Sequence, residues 1–461
     1  MSLGLRWLAS SVLVLGMACS QVIGCSDDVV IERHGGRPDP PTEEPSAAAR
    51  CEGMETSLAT SGNSAIDPMG SADGPGCDTW LVGAFSGTVT FPDGTTIVGG
   101  SEWDGFVARL GPQGERRWAV RIEGSPDSWA DYVVGVAVDA RGRSWVTGSA
   151  DGPLEVGGQT VLEESGHFIL ALDEDGHPRW AARLGYFATH VEEADGVVTV
   201  YGTRDAELVR TTFDADAGAA STHVLASGPM SLFDVATSPA GSVFVIVQNG
   251  DMTVGSQTVP THDSEEDKAD LALVVLSPDG ALRWARSFAE TGFAPIEGRA
   301  AIDDKGQVHA FVSYTGSIDV GGDVLTASPD ASMSLLGITL DDDGALIAGA
   351  SLGAGDIALP MWTRQATDGQ VVWAGRIEDG VISLGSVVVD SSAVTAYAGL
   401  GVGFLTQVSA AGDIFDAQPI ANLDHVGGSH AEAPILSQRT WTDDGLDRGL
   451  RVTRGAFDLA H

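Results

Sequence analysis

The chain is poor in basic residues and in cysteine. Its 461 residues include 25 Lys and Arg against 64 Asp and Glu, which gives a formal net charge of −39. Such a surface repels phosphate backbones, so the composition excludes nucleic acid as a partner. The acidic excess indicates a well-solvated surface, and attraction of cations is the alternative interpretation. With 43% hydrophobic residues, the chain can still bury a large core.

Common catalytic motifs are also missing. The chain contains no Gly-x-Gly-x-x-Gly loop, no Walker loop and no His-Glu-x-x-His. The run Gly349-Ala350-Ser351-Leu352-Gly353 matches the letters of a hydrolase nucleophile elbow, but Gly355 and Pro360 follow where that motif requires a helix. We interpret the match as coincidence in a Gly-rich chain, and we assign no catalytic residue.

Outside the N-terminus, no apolar run approaches the roughly 18 residues that span a bilayer. At the N-terminus, Arg6 precedes an apolar stretch from Leu8 to Ala18, which is typical of a secretory signal. The following Val22-Ile23-Gly24-Cys25 resembles a bacterial lipobox. That resemblance implies a signal peptide over residues 1–24 and lipidation at Cys25. We therefore expect the protein to be anchored to the cell envelope on its extracytoplasmic side, and not to span the membrane.

The four cysteines favour the same cleavage site. Cleavage before Cys19 is the competing possibility, but Gly16 then occupies a position where lipoproteins carry a branched apolar residue. Cleavage before Cys25 leaves Cys51 and Cys77, an even pair suited to one disulfide in an oxidising compartment. A plain secretory signal with free mature cysteines is the alternative.

Residues 25–60 are polar and Pro-rich, as in the stretch from Gly35 to Pro45. They hold too little apolar material to offset the entropy of ordering, so we predict a disordered tether there and a folded domain over 61–461. A bond between Cys51 and Cys77 would tie that tether to the start of the folded domain.

The stretch from Tyr132 to Gly185 has the pattern of two β-hairpins, or one four-stranded sheet. Versions of this unit recur, and each can be tracked by the glycine that closes a hairpin turn. First-hairpin turns lie at Gly76, Gly142, Gly196, Gly241 and Gly306. Second-hairpin turns lie at Gly114, Gly176, Gly218, Gly280 and Gly344, spaced 62, 42, 62 and 64 residues apart.

Tryptophan accompanies several of these turns. Trp follows the turn glycine by four residues in the pairs Gly114 and Trp118, Gly176 and Trp180, Gly280 and Trp284, and Gly369 and Trp373. We interpret these side chains as filling the gap between stacked sheets. Beyond Gly344, further turns are predicted at Asp368-Gly369, Asp390-Ser391-Ser392, Ala411-Gly412 and Asp443-Asp444-Gly445.

Fourteen hairpins in all correspond to seven four-stranded sheets, with six or eight as alternatives. Closing the array into a ring buries both faces of every sheet, whereas an open stack exposes two apolar faces. We therefore predict an all-β fold, a β-propeller of four-stranded antiparallel blades; an open solenoid is the alternative. The C-terminal segment with Arg448, Arg451 and Arg454 either closes the ring by pairing with N-terminal strands or trails outside it.

Two family resemblances support this prediction. The unit from Val136 to Gly148, together with Phe106 to Trp118, resembles the bacterial SBBP-type β-propeller repeat, which occurs on extracytoplasmic proteins and has no common catalytic residues. The runs from Ala171 to Trp180 and from Ala366 to Trp373 resemble the repeats of quinone-dependent dehydrogenases and related assembly-factor lipoproteins. A quinone enzyme would also need a calcium site and a catalytic Asp, and no spacing in the sequence identifies either.

The sequence contains few residues that could form a metal site or a partner-binding site. His425 and His430, beside Asp424 and Glu432, lack the spacing of metal-binding helices, and we interpret them as a solvated loop. The acidic turns Asp341-Asp342-Asp343-Gly344 and Asp214 to Gly218 lack calcium-loop spacing, so turn chemistry explains them. Calcium is permitted, but no cofactor is indicated. The acidic run from Asp263 to Asp267 could touch a basic partner.

From these observations we expect a monomeric, membrane-anchored extracytoplasmic propeller lipoprotein that binds a protein or glycan partner on a loop face. It would act as a binding or scaffold module at the cell envelope. The alternative is an envelope enzyme, either a quinone-type oxidoreductase or a glycan-acting lyase or hydrolase. Carboxylates with an Arg or His at the ring mouth would favour the enzyme.

Overall fold

The computed structural model describes residues 51, 54–61, 64–100, 102–125, 131–261, 269–288, 294–320, 322–355, 357–365, 370–378, 381–384, 387–390, 402–409, 414–421, 423–427, 435–441 and 448–454. Apart from one 3₁₀ turn at Pro75–Cys77, the regular structure in these ranges is β-strand. This confirms the all-β prediction. No helix within these ranges has the length and apolar character needed to cross a membrane.

The strands are numbered in chain order. The first nineteen are β1 (Met54–Thr60), β2 (Ala65–Asp73), β3 (Thr79–Ser86), β4 (Thr88–Thr90), β5 (Thr96–Val98), β6 (Asp104–Leu110), β7 (Arg116–Glu123), β8 (Tyr132–Val138), β9 (Ser144–Ala150), β10 (Leu154–Val156), β11 (Gln159–Leu162), β12 (Gly166–Leu172), β13 (Pro178–Arg183), β14 (Phe187–Ala194), β15 (Val197–Arg204), β16 (Glu207–Asp214), β17 (Ala220–Ser227), β18 (Met230–Ser238) and β19 (Gly241–Gln248). The others are β20 (Met252–Val254), β21 (Gln257–Val259), β22 (Asp270–Leu276), β23 (Leu282–Phe288), β24 (Ala294–Ile302), β25 (Val308–Thr315), β26 (Ser317–Asp319), β27 (Val324–Thr326), β28 (Met333–Leu340), β29 (Leu346–Gly355), β30 (Ile357–Gln365), β31 (Val371–Glu378), β32 (Val381–Leu384), β33 (Val387–Asp390), β34 (Val402–Val408), β35 (Ile414–Ala421), β36 (Leu423–Gly427), β37 (Ile435–Trp441) and β38 (Arg448–Arg454).

Within the described part of the chain, these strands form seven antiparallel sheets of four or more strands. Each sheet has a body of four strands, ordered from the innermost outward. The bodies are β2-β3-β6-β7 (sheet 1), β8-β9-β12-β13 (sheet 2), β14-β15-β16-β17 (sheet 3), β18-β19-β22-β23 (sheet 4), β24-β25-β28-β29 (sheet 5), β30-β31-β34-β35 (sheet 6) and β36-β37-β38-β1 (sheet 7). Strands β26 and β27 form a separate two-stranded sheet.

The sheets are arranged as a closed ring. Each innermost strand contacts the innermost strands of the sheets on either side, and β36 of sheet 7 contacts β2 of sheet 1. A hydrophobic cluster fills the space between every two adjacent sheets, including sheets 7 and 1. Each sheet thus buries both faces, which is the arrangement of a β-propeller and confirms the predicted fold.

The ring closes through the two ends of the chain. Strand β1 pairs antiparallel with β38, from Met54 opposite Arg454 to Ala59 opposite Gly449. The C-terminal segment therefore completes a sheet with the N-terminal strand and does not trail outside. The propeller begins at Met54 and not at residue 61 as predicted, because alternate side chains of β1 are buried, with Met54 and Leu58 each 1% exposed.

A disulfide and the side chain of Arg454 also hold this closure. Cys51 and Cys77 form a disulfide that joins the chain just before β1 to the turn between β2 and β3. Arg454, 2% exposed at the end of β38, makes a buried ion pair with Asp73 and donates from Nη1 to the Cys77 carbonyl at 2.9 Å. Sheet 7 is thereby fastened to sheet 1.

The predicted turn glycines are confirmed. All ten tracked glycines up to Gly344 have positive φ, a conformation that disfavours other L-residues. In several turns an aspartate side chain caps the loop: the Asp139 carboxylate accepts from the amides of Arg141 and Arg143, each at 2.9 Å. Asp173, Asp303 and Asp341 do the same in their own turns. Turn chemistry therefore accounts for these four aspartates.

One turn assignment after Gly344 needs correction. Trp373 is misassigned, since it lies on the second strand of sheet 6 and not on a return strand at the rim. Strands β33 and β34, before and after the predicted turn at Asp390-Ser391-Ser392, belong to different sheets and do not pair with each other. Residues 391 and 392 themselves, and the turns at 368–369, 411–412 and 443–445, lie outside the described residues.

Short hairpins join neighbouring sheets at the rim. Residues 151–166 contain the hairpin β10-β11, and the hairpin β20-β21 spans residues 252–259. Hairpin β10-β11, inserted between two strands of sheet 2, pairs with the outer strand β7 of sheet 1. Hairpins β4-β5, β20-β21 and β32-β33 likewise pair with the outer strand of the preceding sheet. Sheet 3 has a two-residue turn at Asp205 and Ala206 instead, which explains the short step of 42 residues.

The tryptophans on the outer strands also join neighbouring sheets, as predicted. Trp118 of sheet 1 donates from Nε1 to the Glu174 carbonyl of the sheet 2 turn at 2.8 Å. Trp180 bonds the sheet 3 turn at Ala215 (3.1 Å), and Trp284 bonds the sheet 5 turn at Asp342 (3.1 Å). In each case the indole ring packs against the turn glycine that the sequence tracks.

Candidate functional site

A β-bulge interrupts the innermost strand of all seven sheets at the same place. The extra residues are Met69, Val134, Thr189, Phe233, Ile296, Met361 and Asp424. A bulge bends its strand and redirects the adjacent side chains. Seven of them at one level shape the inner wall of the ring and place consecutive residues of each strand around its axis.

A cavity of about 320 Å³ occupies this level of the ring. Residues of all seven innermost strands line it, so it is the central channel of the propeller. A second cavity, of about 70 Å³ near Phe311 and Val408, has no charged side chain among its lining residues. The channel cavity is therefore the candidate functional site.

The lining of the channel cavity is uneven. Sheets 3 to 6 contribute His190, Asp234, Arg299 and Arg364. The lining residues of sheets 1, 2 and 7 are small or apolar, and include Gly70, Ser71, Gly135, Val136 and Val426. Polar chemistry is therefore concentrated on one side of the channel.

Arg299 and Asp234 form the fixed part of this wall. Arg299 donates from Nε to the Met361 carbonyl (3.1 Å), from Nη1 to the Gly298 carbonyl (2.9 Å) and from Nη2 to Glu297 Oε1 (2.7 Å). Asp234 accepts from the Ala300 amide at 3.0 Å. Burial raises the pKa of the Asp234 carboxyl, against the influence of Arg299. Burial alone would lower the pKa of Arg299, but Glu297 and Asp234 outweigh it and the pKa is raised.

Arg364 and His190 lie on either side of this pair in the ring. Burial lowers the pKa of the Arg364 guanidinium, although the carboxylates of Asp234 and Glu192 oppose that change. Burial, with a contribution from Arg364, lowers the pKa of His190 to about 3, so its imidazole is neutral at pH 7. His190 Nε2 is buried and has no hydrogen-bond partner among the described atoms. A buried ring nitrogen without a partner is a position where a ligand can bind.

Behind the lining, Glu192 is held by two hydroxyl groups. Thr237 donates to Glu192 Oε2 at 2.5 Å, and the Tyr201 hydroxyl donates to Oε1 at 3.3 Å. Glu192 and Glu297 do not themselves line the cavity. Their carboxylates act on the two arginines of the lining: Glu297 bonds Arg299, and Glu192 favours the charged form of Arg364.

Apolar side chains lie close to the charged groups along the strands. We call this set the apolar collar: Met69, Val134, Phe187, Phe233, Met361 and Trp362. Phe187 is 42% exposed, while Trp362 is 7% exposed. The channel cavity thus combines an apolar wall with a charged one.

None of the described residues singled out in the sequence as candidate site residues is among those that line this site. Cys25, His430 and the acidic run 263–267 lie outside the described residues. His425 follows the bulge of β36, on the innermost strand and not in a solvated loop. The acidic turns are closed by their own aspartates; Asp341, for example, accepts from the Ala345 amide at 2.7 Å. The run 349–353 lies within strand β29, so it is no nucleophile elbow.

Sequence reasoning missed His190, Asp234, Arg299 and Arg364. One signal could have found them: each is a charged or ionisable residue in the first strand of a repeat, whereas residues 133–138 in the first strand of the second repeat are all small or apolar. The described residues contain no group of three or more His, Cys, Asp or Glu side chains placed to hold a metal ion.

Comparison with known proteins finds solved structures that are similar to this chain in fold. No family model matches the chain, and no curated protein sequence matches it. The β-propeller domain of the Trilobed protease from Pyrococcus furiosus is 8% identical, with a TM-score of 0.38 over 86% of this chain and 96% of that one. BamB from Moraxella catarrhalis is 12% identical, with a TM-score of 0.34 over 86% and 99%. A protein of unknown function from Bacteroides caccae is 11% identical, with a TM-score of 0.35 over 70% and 92%. The class of this protein, a β-propeller with a charged channel cavity, rests on its own strand topology.

Proposed function

We propose that the protein is a lipid-anchored extracytoplasmic β-propeller, a binding or scaffold module of the bacterial cell envelope whose ligand site is the channel cavity. The uneven lining of that cavity is the observation that carries the binding role. A channel that served only to pack seven sheets would be filled by apolar side chains, because buried charge is expensive. Here two guanidinium groups, a carboxylate and an imidazole converge beside an apolar wall. Convergent polar groups in a mainly apolar cavity are typical of small-molecule sites.

The envelope location is supported by the lipobox at Val22-Ile23-Gly24-Cys25 and by the disulfide between Cys51 and Cys77. In the mature protein, a tether from Cys25 would reach the propeller next to that disulfide. The lipid anchor would therefore be linked to β1 through the backbone and to sheet 1 through the disulfide.

Membrane fractionation tests the anchor. We expect Cys25→Ala to release the protein from membranes, because one missing acylated cysteine removes the lipid chains that hold it. The control is Cys19→Ala, which leaves the predicted lipidation site intact and should stay in the membrane fraction. Unchanged fractionation and unchanged mass of Cys25→Ala, or release by Cys19→Ala, would contradict the anchor at Cys25.

A second candidate function is an envelope enzyme acting on glycans. It is favoured by His190, because a neutral imidazole with an unbonded nitrogen is the state that a general base requires. The described hydrogen bonds do not connect His190 to either Asp234 or Glu192, so binding remains the function that the geometry supports best.

A further inference from the structure

The second cavity, of about 70 Å³, marks a place where the repeat pattern is broken. It lies between sheets 5 and 6, because Phe311 and Val408 of its lining belong to strands of those two sheets. Ala348 of β29 also lines it, and this residue follows the turn glycine Gly344 by four residues. Tryptophan holds that position in sheets 1, 2 and 4. The cavity therefore lies where an indole ring is missing.

An aliphatic side chain is missing from the same wall. On the third strand of sheet 5, Gly337 lines the cavity and pairs with Ala350, two residues after Ala348. The residues in the same register of sheets 1, 2 and 4 are fully buried and aliphatic: Val107, Ile169 and Leu273. Sheet 5 thus lacks two large side chains that its counterparts place in the gap to the next sheet.

The cavity is apolar and can be reached from the rim. Gly349 and Ala350, which line it, are exposed. Thr339 brings a hydroxyl group, but that group is bonded to His309 Nδ1 at 3.1 Å. An apolar cavity of about 150 Å³ holds a benzene ring. A cavity of about 70 Å³ therefore suits one aliphatic side chain.

The strand beside the cavity has an open edge. β29 contains no charged residue and no proline, whereas the outer strands β7, β13 and β23 each carry two or more arginines. Within the described part of the chain, the outer edge of β29 is paired only at Gly353 and Ala354, by the hairpin strand β32. Residues 346–352 have no strand on that side. An uncharged open edge is a template for pairing with another strand.

The hairpin strand β32 shows what this edge accepts. It pairs antiparallel with the end of β29, and Ile382, opposite Gly353, is fully buried in the cluster between sheets 5 and 6. Directly opposed residues of an antiparallel pair lie on the same face of a sheet. On a strand that continued this pairing along β29, the residues opposite Ala350 and Ala348 would therefore face the cavity.

We propose that the open edge of β29 binds an extended peptide strand of a partner protein, which pairs antiparallel with residues 346–352 and places an aliphatic side chain in the cavity between sheets 5 and 6. Apolar residues at every second position of the partner would face the gap. A second copy of this chain is disfavoured as the occupant, because two chains with a formal net charge of −39 repel each other. This site is separate from the channel cavity, so its failure would leave the proposed ligand site intact.

Fluorescence anisotropy with a labelled strand peptide, Lys-Thr-Ile-Thr-Val-Thr-Ile-Thr-Lys, tests the proposal on the full chain in detergent. The comparison peptide has proline at each threonine, which keeps the charges and the apolar side chains but removes backbone donors that pairing requires. We expect the strand peptide to bind about tenfold more tightly or better, because main-chain hydrogen bonds supply the affinity of an added strand. Equal binding of the two peptides, or no binding of either, would overturn the proposal.

Two variants of β29 locate the binding. Ala350→Lys places a charge where the edge faces the cavity, and it should weaken binding of the strand peptide about tenfold or more. Ala348→Leu should fill the cavity and weaken binding severalfold. The matched controls are Val224→Lys and Thr222→Leu on β17, the outer strand of sheet 3, where Thr222 also follows its turn glycine by four residues. Both controls should bind as the wild type does.

Unchanged binding by Ala350→Lys, or an equal loss in Val224→Lys, would overturn the assigned edge. If Ala350→Lys does not fold, unchanged binding by Ala348→Leu overturns it instead. Analytical ultracentrifugation tests the other occupant: a dimer of the wild type that Ala350→Lys abolishes would assign the edge to a second copy and overturn the partner strand.

Discussion

At the scale of single residues, the channel cavity brings several ionisable groups together in a buried place. Burial moves the pKa of His190 and of Asp234 away from their ordinary values. Burial of these ionisable groups lowers the stability of the fold, and groups with shifted pKa values of this kind are typical of functional sites.

The stability of the folded state should depend on pH through His190. Its pKa is about 3 in the folded protein against 6.5 ordinarily, so below pH 6.5 the unfolded chain binds a proton that the folded chain does not. Folding stability is therefore fully present above pH 6.5 and falls as the pH falls. His190→Gln should remove up to about 2 kcal/mol of the loss between pH 6.5 and pH 5. This figure is an upper limit, because His190 lines a cavity that water can reach.

Urea unfolding at both pH values measures this effect. The control is His177→Gln, because the His177 side chain is 76% exposed at a turn and its loss should leave the pH dependence close to that of the wild type. If His190→Gln shows the same loss of stability on acidification as the wild type, the burial of a neutral imidazole is contradicted.

At the scale of single elements, the bulges explain a glycine in the repeat pattern. On the second strands of sheets 1, 2, 3 and 6, a glycine pairs with the residue that precedes the bulge: Gly83, Gly148, Gly202 and Gly375. A Cβ at Gly202 would come within 2.0 Å of the Phe187 carbonyl oxygen. The strand that ends in glycine, visible as Trp145-Val146-Thr147-Gly148, thus reflects backbone approach beside each bulge.

Gly202→Ala should destabilise the protein by about 2 kcal/mol or more, because the first strand of sheet 3 must move away from the added methyl group. Gly185→Ala is the matched control, since a Cβ there meets no atom within 4 Å. Chemical unfolding of the two variants measures the difference. Equal stability of Gly202→Ala and Gly185→Ala would mean that the bulge does not hold the carbonyl over Gly202.

At the scale of the whole molecule, closure of the ring depends on the last strand. Arg454 lies at the end of β38, where the disulfide, the ion pair with Asp73 and the β1 pairing all meet. Breaking a buried ion pair leaves one charge without compensation and costs about 3 to 5 kcal/mol. Closure should therefore be more sensitive to this one side chain than to any exposed ion pair.

Arg454→Met should lower the free energy of unfolding by about 3 kcal/mol or more and should speed hydrogen exchange in β1 and β38. Arg451→Met is the control on the same strand: Arg451 pairs with Glu55 at 2.9 Å, and its side chain is 39% exposed. Its loss should cost less than about 1 kcal/mol. Similar stability of the two variants would contradict the role of Arg454 in closure.

The amino-acid sequence by itself determined the hairpins and their turns. Positive φ at Gly142 or Gly176, aspartate caps and period-two alternation are properties of a few neighbouring residues, so they can be identified without the fold. The tryptophan that follows a turn by four residues was identifiable for the same reason, although only the ring shows that it bonds the next sheet.

Tertiary structure alone decided how the hairpins combine. Pairing of β10 with β7, and of β38 with β1, joins strands whose sequences carry no mark of the partner, because any alternating strand offers the same backbone groups. The channel cavity was hidden for a related reason: His190, Asp234, Arg299 and Arg364 come from four separate strands, and they become neighbours only when the ring closes.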